Sequence, residues 1–444
     1  MPGSRIGDLM LRFERMKLSG WRQFSTVEIV FDEQLTILTG SNGAGKTTLL
    51  NLLIQHFGIQ KPYLGTPTRK DGVTYFTSNV FSFASRLLKW FEAQNDPNTA
   101  SVGSISYSNG GATPLLVPKA GSQSYNAALP QAQPVLGFHM PSHRAMPNYQ
   151  QVPTVAFGGI DPEQAFDRLY PEVSSFYVGS HTGNSTIFRL KELLANWASY
   201  GESNSRLSGN ESQKVAFDGF VELLKIILPH DLGFEELEVI PPDVVLKTTT
   251  GDFLIDSLSG GLLALVEMAA LIYTRQLRTD GKHGFVVTMD EPENHLHPAM
   301  QRAVLPSLMK AFPQVQFIVA THSPFVVASY ANASVYALKY ENVSIVPDAD
   351  TDNQQDGLRE RKVQSVRLDF KLGLTNTNDV LRDVLGVSVT YPLWVEDKLT
   401  ELVEKYKLRD FNKETLESFK ADLADYGLAE TLPGALIMLG KAHD

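Results

Sequence analysis

The sequence contains no cysteine. Disulfides and thiolate metal sites are therefore excluded, and secretion gains no support. No apolar run approaches the length of a membrane span, and the opening Met1-Pro2-Gly3-Ser4-Arg5 has no signal-peptide core, so a cytoplasmic protein with no membrane partner is expected. Basic charge is in deficit, with 39 Lys and Arg against 49 Asp and Glu and a net charge of −10. That balance argues against a broad, nonspecific grip on nucleic acid, while a local basic groove could survive inside it. Internal repeats at a solenoid period are also missing. What remains is the composition of a soluble globular chain, 43% hydrophobic and 20% charged, and 444 residues are too many for one ordinary core. Two or more lobes are expected.

Against these absences one stretch stands out. Gly40-Ser41-Asn42-Gly43-Ala44-Gly45-Lys46-Thr47 fits the phosphate-loop pattern G-x-x-x-x-G-K-[ST] at every fixed position. Glycines let the backbone curl so that successive N–H groups point at phosphate oxygens. Lys46 supplies a point charge for the β- and γ-phosphates, and the Thr47 hydroxyl is a Mg²⁺ ligand. The apolar strand Leu35–Thr39 runs into the loop, and Thr48–Phe57 reads as the helix leaving it, its N-terminus adding a partial positive charge. A glycine-rich turn between two core elements is the bland alternative, and these flanks disfavour it. The chain is read as binding a nucleoside triphosphate with Mg²⁺.

Three further motifs follow in order. Ser259-Gly260-Gly261 precedes the apolar helix Leu262–Ala270 and offers a second anion site, although an ordinary N-cap serine reads the same way. Phe285–Pro292 is an apolar strand ending in Asp290-Glu291, one carboxylate for the Mg²⁺ shell and one for an attacking water. Phe317–Pro324 is another such strand, ending at His322; His295 and His297 lack the spacing that would make a zinc site with it.

The ordered set resembles the ABC-type ATPase family, in which the four motifs are Walker A, signature, Walker B and H-switch. The resemblance implies an α/β fold, a mixed sheet with a phosphate-loop core, carrying an inserted helical lobe and a helical C-terminal region. It implies that Asp290 orders the Mg²⁺ water, that Glu291 is the catalytic base and that His322 senses the γ-phosphate. Ser259, Gly260 and Gly261 would cap ATP held by a second copy in a two-fold sandwich, with higher oligomers open. Gly20–Phe24 looks like the opening of RecF- and SMC-type heads, and no heptads persist that would make long coiled-coil arms. The strand Gly137–Met140 ends in Pro141-Ser142-His143-Arg144 instead of the family's glutamine, and Arg144 is the substitute read there.

Asp290–Pro298 followed by Gln316–Pro324 is similar to OLD-like ATPases, among them the ATPase subunits of the Septu and PARIS anti-phage systems. Val395-Glu396-Asp397 imitates the start of a TOPRIM nuclease, but no Asp-x-Asp follows, so no nuclease site is expected in this chain. The expected segments are 1–66 (head with Walker A), 67–160 (strand and loop insertion), 161–234 (helical lobe), 235–348 (head with signature, Walker B and H-switch) and 349–444 (helical). By resemblance the chain is the sensor ATPase of a two-component defence complex, controlling a partner nuclease or toxin. A DNA-repair ATPase that binds DNA directly is the alternative.

Overall fold

The computed structural model describes residues 10–70, 73–78, 80, 98–143, 149–180, 183–203, 205–279, 284–344, 359–368, 393–407 and 413–426, with isolated positions beyond. The helices expected over Phe81–Phe91 and Asn378–Leu385 lie outside these residues, as does Arg144. Two compact units are present, Met1–Thr375 and Asn376–Asp444. No helix among the described residues is long and apolar enough to cross a membrane.

The first unit is built on a ten-stranded mixed sheet. The alternation from Leu9 to Phe31 predicts two strands around a turn at Ser19–Arg22; the hairpin forms, β1 (Phe13–Trp21) with β2 (Phe24–Val30), but its turn falls at Arg22-Gln23 and Ser19–Trp21 belong to β1. β3 (Leu35–Gly40) is buried on both faces, so Leu35, Ile37 and Leu38 lie inside together with Thr36 and Thr39, and it delivers the chain to α1 (Lys46–Leu53). Residues 58–72, whose pattern predicts irregular structure, hold two short strands, β4 (Tyr63–Leu64) and β5 (Thr66–Lys70); β6 (Val73–Thr77), β7 (Thr99–Tyr107) and β8 (Ala112–Pro118) follow. Residues 119–133, read from their Pro/Gln/Ser content as a loop or mobile insertion, contain β9 (Ala120–Gly121) and β10 (Ser124–Tyr125). Tyr125 is one anchor: it is buried, accepts from Trp21 Nε1 at 3.2 Å and donates to the Ser78 carbonyl at 3.2 Å, while Ala128 exchanges backbone bonds with Leu116 at 2.7 and 3.0 Å.

β11 (Gly137–Met140) follows, and then three helices: α2 (Ala165–Tyr177), α3 (Thr186–Gly201) and α4 (Glu211–Ile227). α3 and α4 start at side-chain caps, Ser185 and Asn210, and their apolar faces bury Leu190, Leu194, Trp197, Phe220 and Leu224. The three-stranded sheet of β12 (Phe234–Ile240), β13 (Asp243–Thr248) and β14 (Phe253–Leu254) leads into α5 (Gly260–Leu277). A fully buried lysine ties these parts together. Lys191 Nζ reaches Asp256 Oδ2 at 2.6 Å, the Gln150 carbonyl at 2.6 Å and Asp243 Oδ1 at 3.0 Å, joining α3 to β13 and to the turn before α5.

The chain then alternates β15 (Val286–Asp290), α6 (Pro298–Ala311), β16 (Gln316–Ala320), α7 (Pro324–Val327) and β17 (Ser334–Ser344). The segment read as a polar linker and helical region from residue 349 contains a strand, β18 (Arg359–Leu368), which pairs antiparallel with β17 and parallel with β2. Four consecutive charged residues, Arg359–Lys362, precede the fully buried Val363, so a strand inside the sheet presented a mixed composition. The sheet order is β11-β15-β16-β3-β17-β18-β2-β1-β7-β8. From β11 to β17 the strands are parallel, so Gly40, Asp290 and Ala320 end on one side of neighbouring strands. Switch points of this kind are where parallel sheets build sites.

In the second unit, helices Leu393–Lys407 and Lys413–Asp425 close a small core of Leu399, Leu402, Tyr406, Phe419 and Leu423. Both match the helical expectation for that part of the chain, and Glu396 lies in the first of them.

Candidate nucleotide site

The loop after β3 has the backbone its glycines imply. Gly40, Gly43 and Gly45 have φ of 138°, 80° and 99°, which L side chains rarely adopt. Gly45 has a second constraint, because a Cβ there would come 2.4 Å from the Phe24 ring. Ser41, Asn42 and Gly43 are exposed and Ala44 is buried, its N–H donating to the Ser41 carbonyl at 3.2 Å. α1 begins at Lys46 with no side-chain cap, so the first N–H groups, those of Lys46, Thr47 and Thr48, have only the loop's own concavity to face. An uncapped helix start behind a glycine cradle is an anion site.

Lys46 is 6% exposed, and its ammonium donates to the Gly40 carbonyl at 2.9 Å and to the Ser41 carbonyl at 3.3 Å. Burial lowers its pKa, while the charges of Glu291, Asp290 and Glu293 pull it back up. Thr47 donates its hydroxyl to Asp290 Oδ2 at 2.8 Å. Asp290 is pushed up to about 6, first by burial and then by the neighbouring Glu291 charge, against the Thr47 bond. Its other oxygen, Oδ1, is buried and has no partner among the described residues. A hydroxyl bonded to a carboxylate whose second oxygen is orphaned is the donor set of a Mg²⁺ shell, so these residues fit that ion.

Glu291 follows with φ 49°, a left-handed backbone that costs a glutamate about 1 kcal/mol. Its N–H donates to the Ala320 carbonyl at 2.8 Å, and both carboxylate oxygens are held: Oε1 faces His322 Nδ1 at 3.1 Å and Oε2 accepts from Asn294 Nδ2 at 3.2 Å. Asn294 also donates to the Ser142 carbonyl at 3.0 Å, which ties this loop to the segment after β11. Sequence reasoning passed over Asn294 and Glu293. Glu293 Oε1 accepts from Thr321 Oγ1 at 2.5 Å and from the backbone N–H of His322 at 3.3 Å and Ser323 at 3.2 Å. The signal available was a third carboxylate two residues past a strand-end pair, with no basic neighbour in sequence to make it a surface ion pair.

Lys46, Thr47, Asp290, Glu291 and His322 thus gather in one place. Of the signature residues, Ser259 caps α5, accepting from Leu262 N–H at 3.5 Å, Gly260 is half-buried, and a Cβ on buried Gly261 would lie 2.9 Å from the His295 carbonyl. His297 caps α6, its Nδ1 accepting from Ala299 N–H at 3.4 Å.

Comparison with known proteins gives the same neighbourhood. Residues 15–97 match an AAA domain family, and residues 181–328 match a second AAA domain family that also carries the name of an AbiEii toxin of type IV TA systems. The Septu protein PtuA of Bacillus thuringiensis is 26% identical over 222 residues, 48% of this chain and 51% of that protein. The Retron Ec83 probable ATPase of Escherichia coli is 30% identical over 122 residues, 28% of this chain and 18% of that protein. The chain therefore spans about half the length of the Septu relative and under a fifth of the retron one. Among solved structures, the SMC head domain from Thermotoga maritima covers 80% of this chain and 99% of its own at 13% identity, with a TM-score of 0.37. The phosphate loop, Asp290, Glu291 and His322 thus gather at one site in a chain that is similar, over these stretches, to AAA domain families and to the Septu and retron proteins.

Proposed function

We propose that the protein binds and hydrolyses ATP with Mg²⁺, closes as a dimer around it, and uses that closure to control a partner nuclease or toxin in defence against phage. The observation that carries the nucleotide half is the Thr47–Asp290 pair with its orphaned Asp290 Oδ1, beside a buried lysine on a glycine cradle. Lys46 would hold the β- and γ-phosphates, and the backbone N–H groups of Gly43–Thr48 would line them. Thr47 and Asp290 would hold Mg²⁺, which when bound neutralises the charge that builds on the transferring phosphoryl group. Glu291 takes the proton of the attacking water, its carboxylate fixed between His322 and Asn294 so that little reorganisation is needed. His322, half-exposed and aimed at the same carboxylate, reads whether the γ-phosphate is present.

The partner half rests on the relatives, which occur among Septu and retron proteins; in a two-fold sandwich Ser259, Gly260 and Gly261 would cap ATP held by the second copy. Native mass spectrometry of the protein purified with its genomic neighbours tests both halves. Wild type and Glu291→Gln are compared with and without ATP·Mg²⁺. A nuclease-sized companion whose occupancy changes with nucleotide is expected. A lone dimer whose hydrolysis rises on added DNA would overturn the defence reading in favour of a repair ATPase.

A further inference from the structure

We infer that Tyr177 is a positioning residue for the nucleotide site, through which α2 of the helical lobe sets the spacing between the helix carrying Thr47 and the strand carrying Asp290. The inference rests on the reading above, in which those two residues share Mg²⁺.

Two tyrosines seven residues apart lie on one face of α2, and each grips a different part of the head. Tyr177 Oη donates to Asn51 Oδ1 at 2.5 Å. Asn51 lies four residues after Thr47 in α1, so the two share a helix face. Tyr170 Oη accepts from the His139 N–H at 3.2 Å and donates to the His139 carbonyl at 3.3 Å. β11 is the edge strand of the sheet, and this hydroxyl covers backbone groups that would otherwise be open.

The His139 ring then carries the contact inward. It is fully buried, stands edge-on to the Tyr177 ring with centroids 4.8 Å apart, and bonds Thr288 Oγ1 through Nδ1 at 2.9 Å. Thr288 lies two residues before Asp290 on β15. α2 therefore touches α1 directly and reaches β15 through His139 of β11, and the approach of α1 to β15 makes the 2.8 Å Thr47–Asp290 bond. The Lys61 ammonium sits 4.3 Å from the Tyr177 ring centroid and fixes the phenol from its other side. Burial, with the Asp290 charge second, keeps the Tyr177 hydroxyl protonated and so a donor.

A bond that only cements the fold and a bond that positions the site differ in what their loss does. Steady-state ATP hydrolysis and melting temperature are measured on the full chain for wild type, Tyr177→Phe, Asn51→Leu, Asn51→Asp and the double variant Tyr177→Phe/Asn51→Leu. Tyr177→Phe and Asn51→Leu are each expected to lower kcat about fivefold to tenfold, the worth of one strong hydrogen bond, with KM moved less than about twofold. Asn51→Asp keeps an acceptor oxygen and is expected to stay within about twofold of wild type. The double variant is expected to be no slower than the slower single one, because both remove the same bond. Melting temperatures that fall while kcat per folded molecule stays at the wild-type value would overturn the inference. Lys46→Ala separates the two readings. If wild type hydrolyses no more ATP than Lys46→Ala, the nucleotide reading fails and the inference with it. If wild type is active and Tyr177→Phe matches it, the inference alone fails.

Discussion

Buried to 4% exposure, Glu293 accepts hydrogen bonds from three consecutive residues of the loop that presents His322. Truncation to alanine would strand those donors, and Glu293→Ala is expected to lose about 2–3 kcal/mol of unfolding free energy by urea titration. Glu293→Gln keeps the accepting oxygen and should lose less than half of that. His139 gives a prediction in pH. Burial holds its pKa down to about 3, with the Thr288 bond opposing that and the Lys61 charge adding to it, against about 6.5 in an unfolded chain. The fold prefers the neutral ring, so the contribution of His139 is whole above pH 6.5 and drains as pH falls toward 3. The slope is about 1.4 kcal/mol per pH unit. Between pH 6 and 4 the stability of His139→Leu should therefore fall less steeply than that of wild type. Parallel urea-midpoint curves would contradict this. The phosphate loop, Asp290, Glu291 and His322 were legible in sequence because each is fixed by residue type at a strand end. Glu293, Asn294 and Tyr177 were not, because their work is done on backbone groups and side chains brought from 28, 152 and 126 positions away.

Among the elements, those with a strong period were legible and those with a borrowed stability were not. β3, β15 and β16 are buried on both faces and read as strands, and α3 and α4 carry caps and a clear apolar face. β18 gave no such signal. It is a strand because β17 and β2 leave a gap between them, and the Val363 N–H closes it by donating to the Gln23 carbonyl at 2.7 Å. Val363→Pro removes that donor inside a central strand and is expected to cost about 3 kcal/mol or more, read as a lower thermal midpoint. Residues 119–133 were similarly opaque, since their anchors are contacts with distant partners, the Tyr125–Trp21 bond and the backbone pair of Ala128 with Leu116 among them.

At the scale of the molecule, the proposed sandwich would have each copy supply the phosphate loop of one site and the Ser259–Gly261 cap of the other. Glu291→Gln with ATP·Mg²⁺ is expected to sediment as a dimer, and Ser259→Arg added to it should return it to the monomer while leaving ATP binding within about twofold. A dimer that persists in the double variant, or that forms without nucleotide, would rule out the sandwich. The sheet also has an order of assembly written into it. Strands β2, β1, β7 and β8 join the parallel half through β18, which lies sixth of ten across the sheet yet comes after all the others in the chain. On the ribosome, the two halves of the head must therefore wait, each with an open edge, until residue 368 has been made and the strand that locks them together arrives.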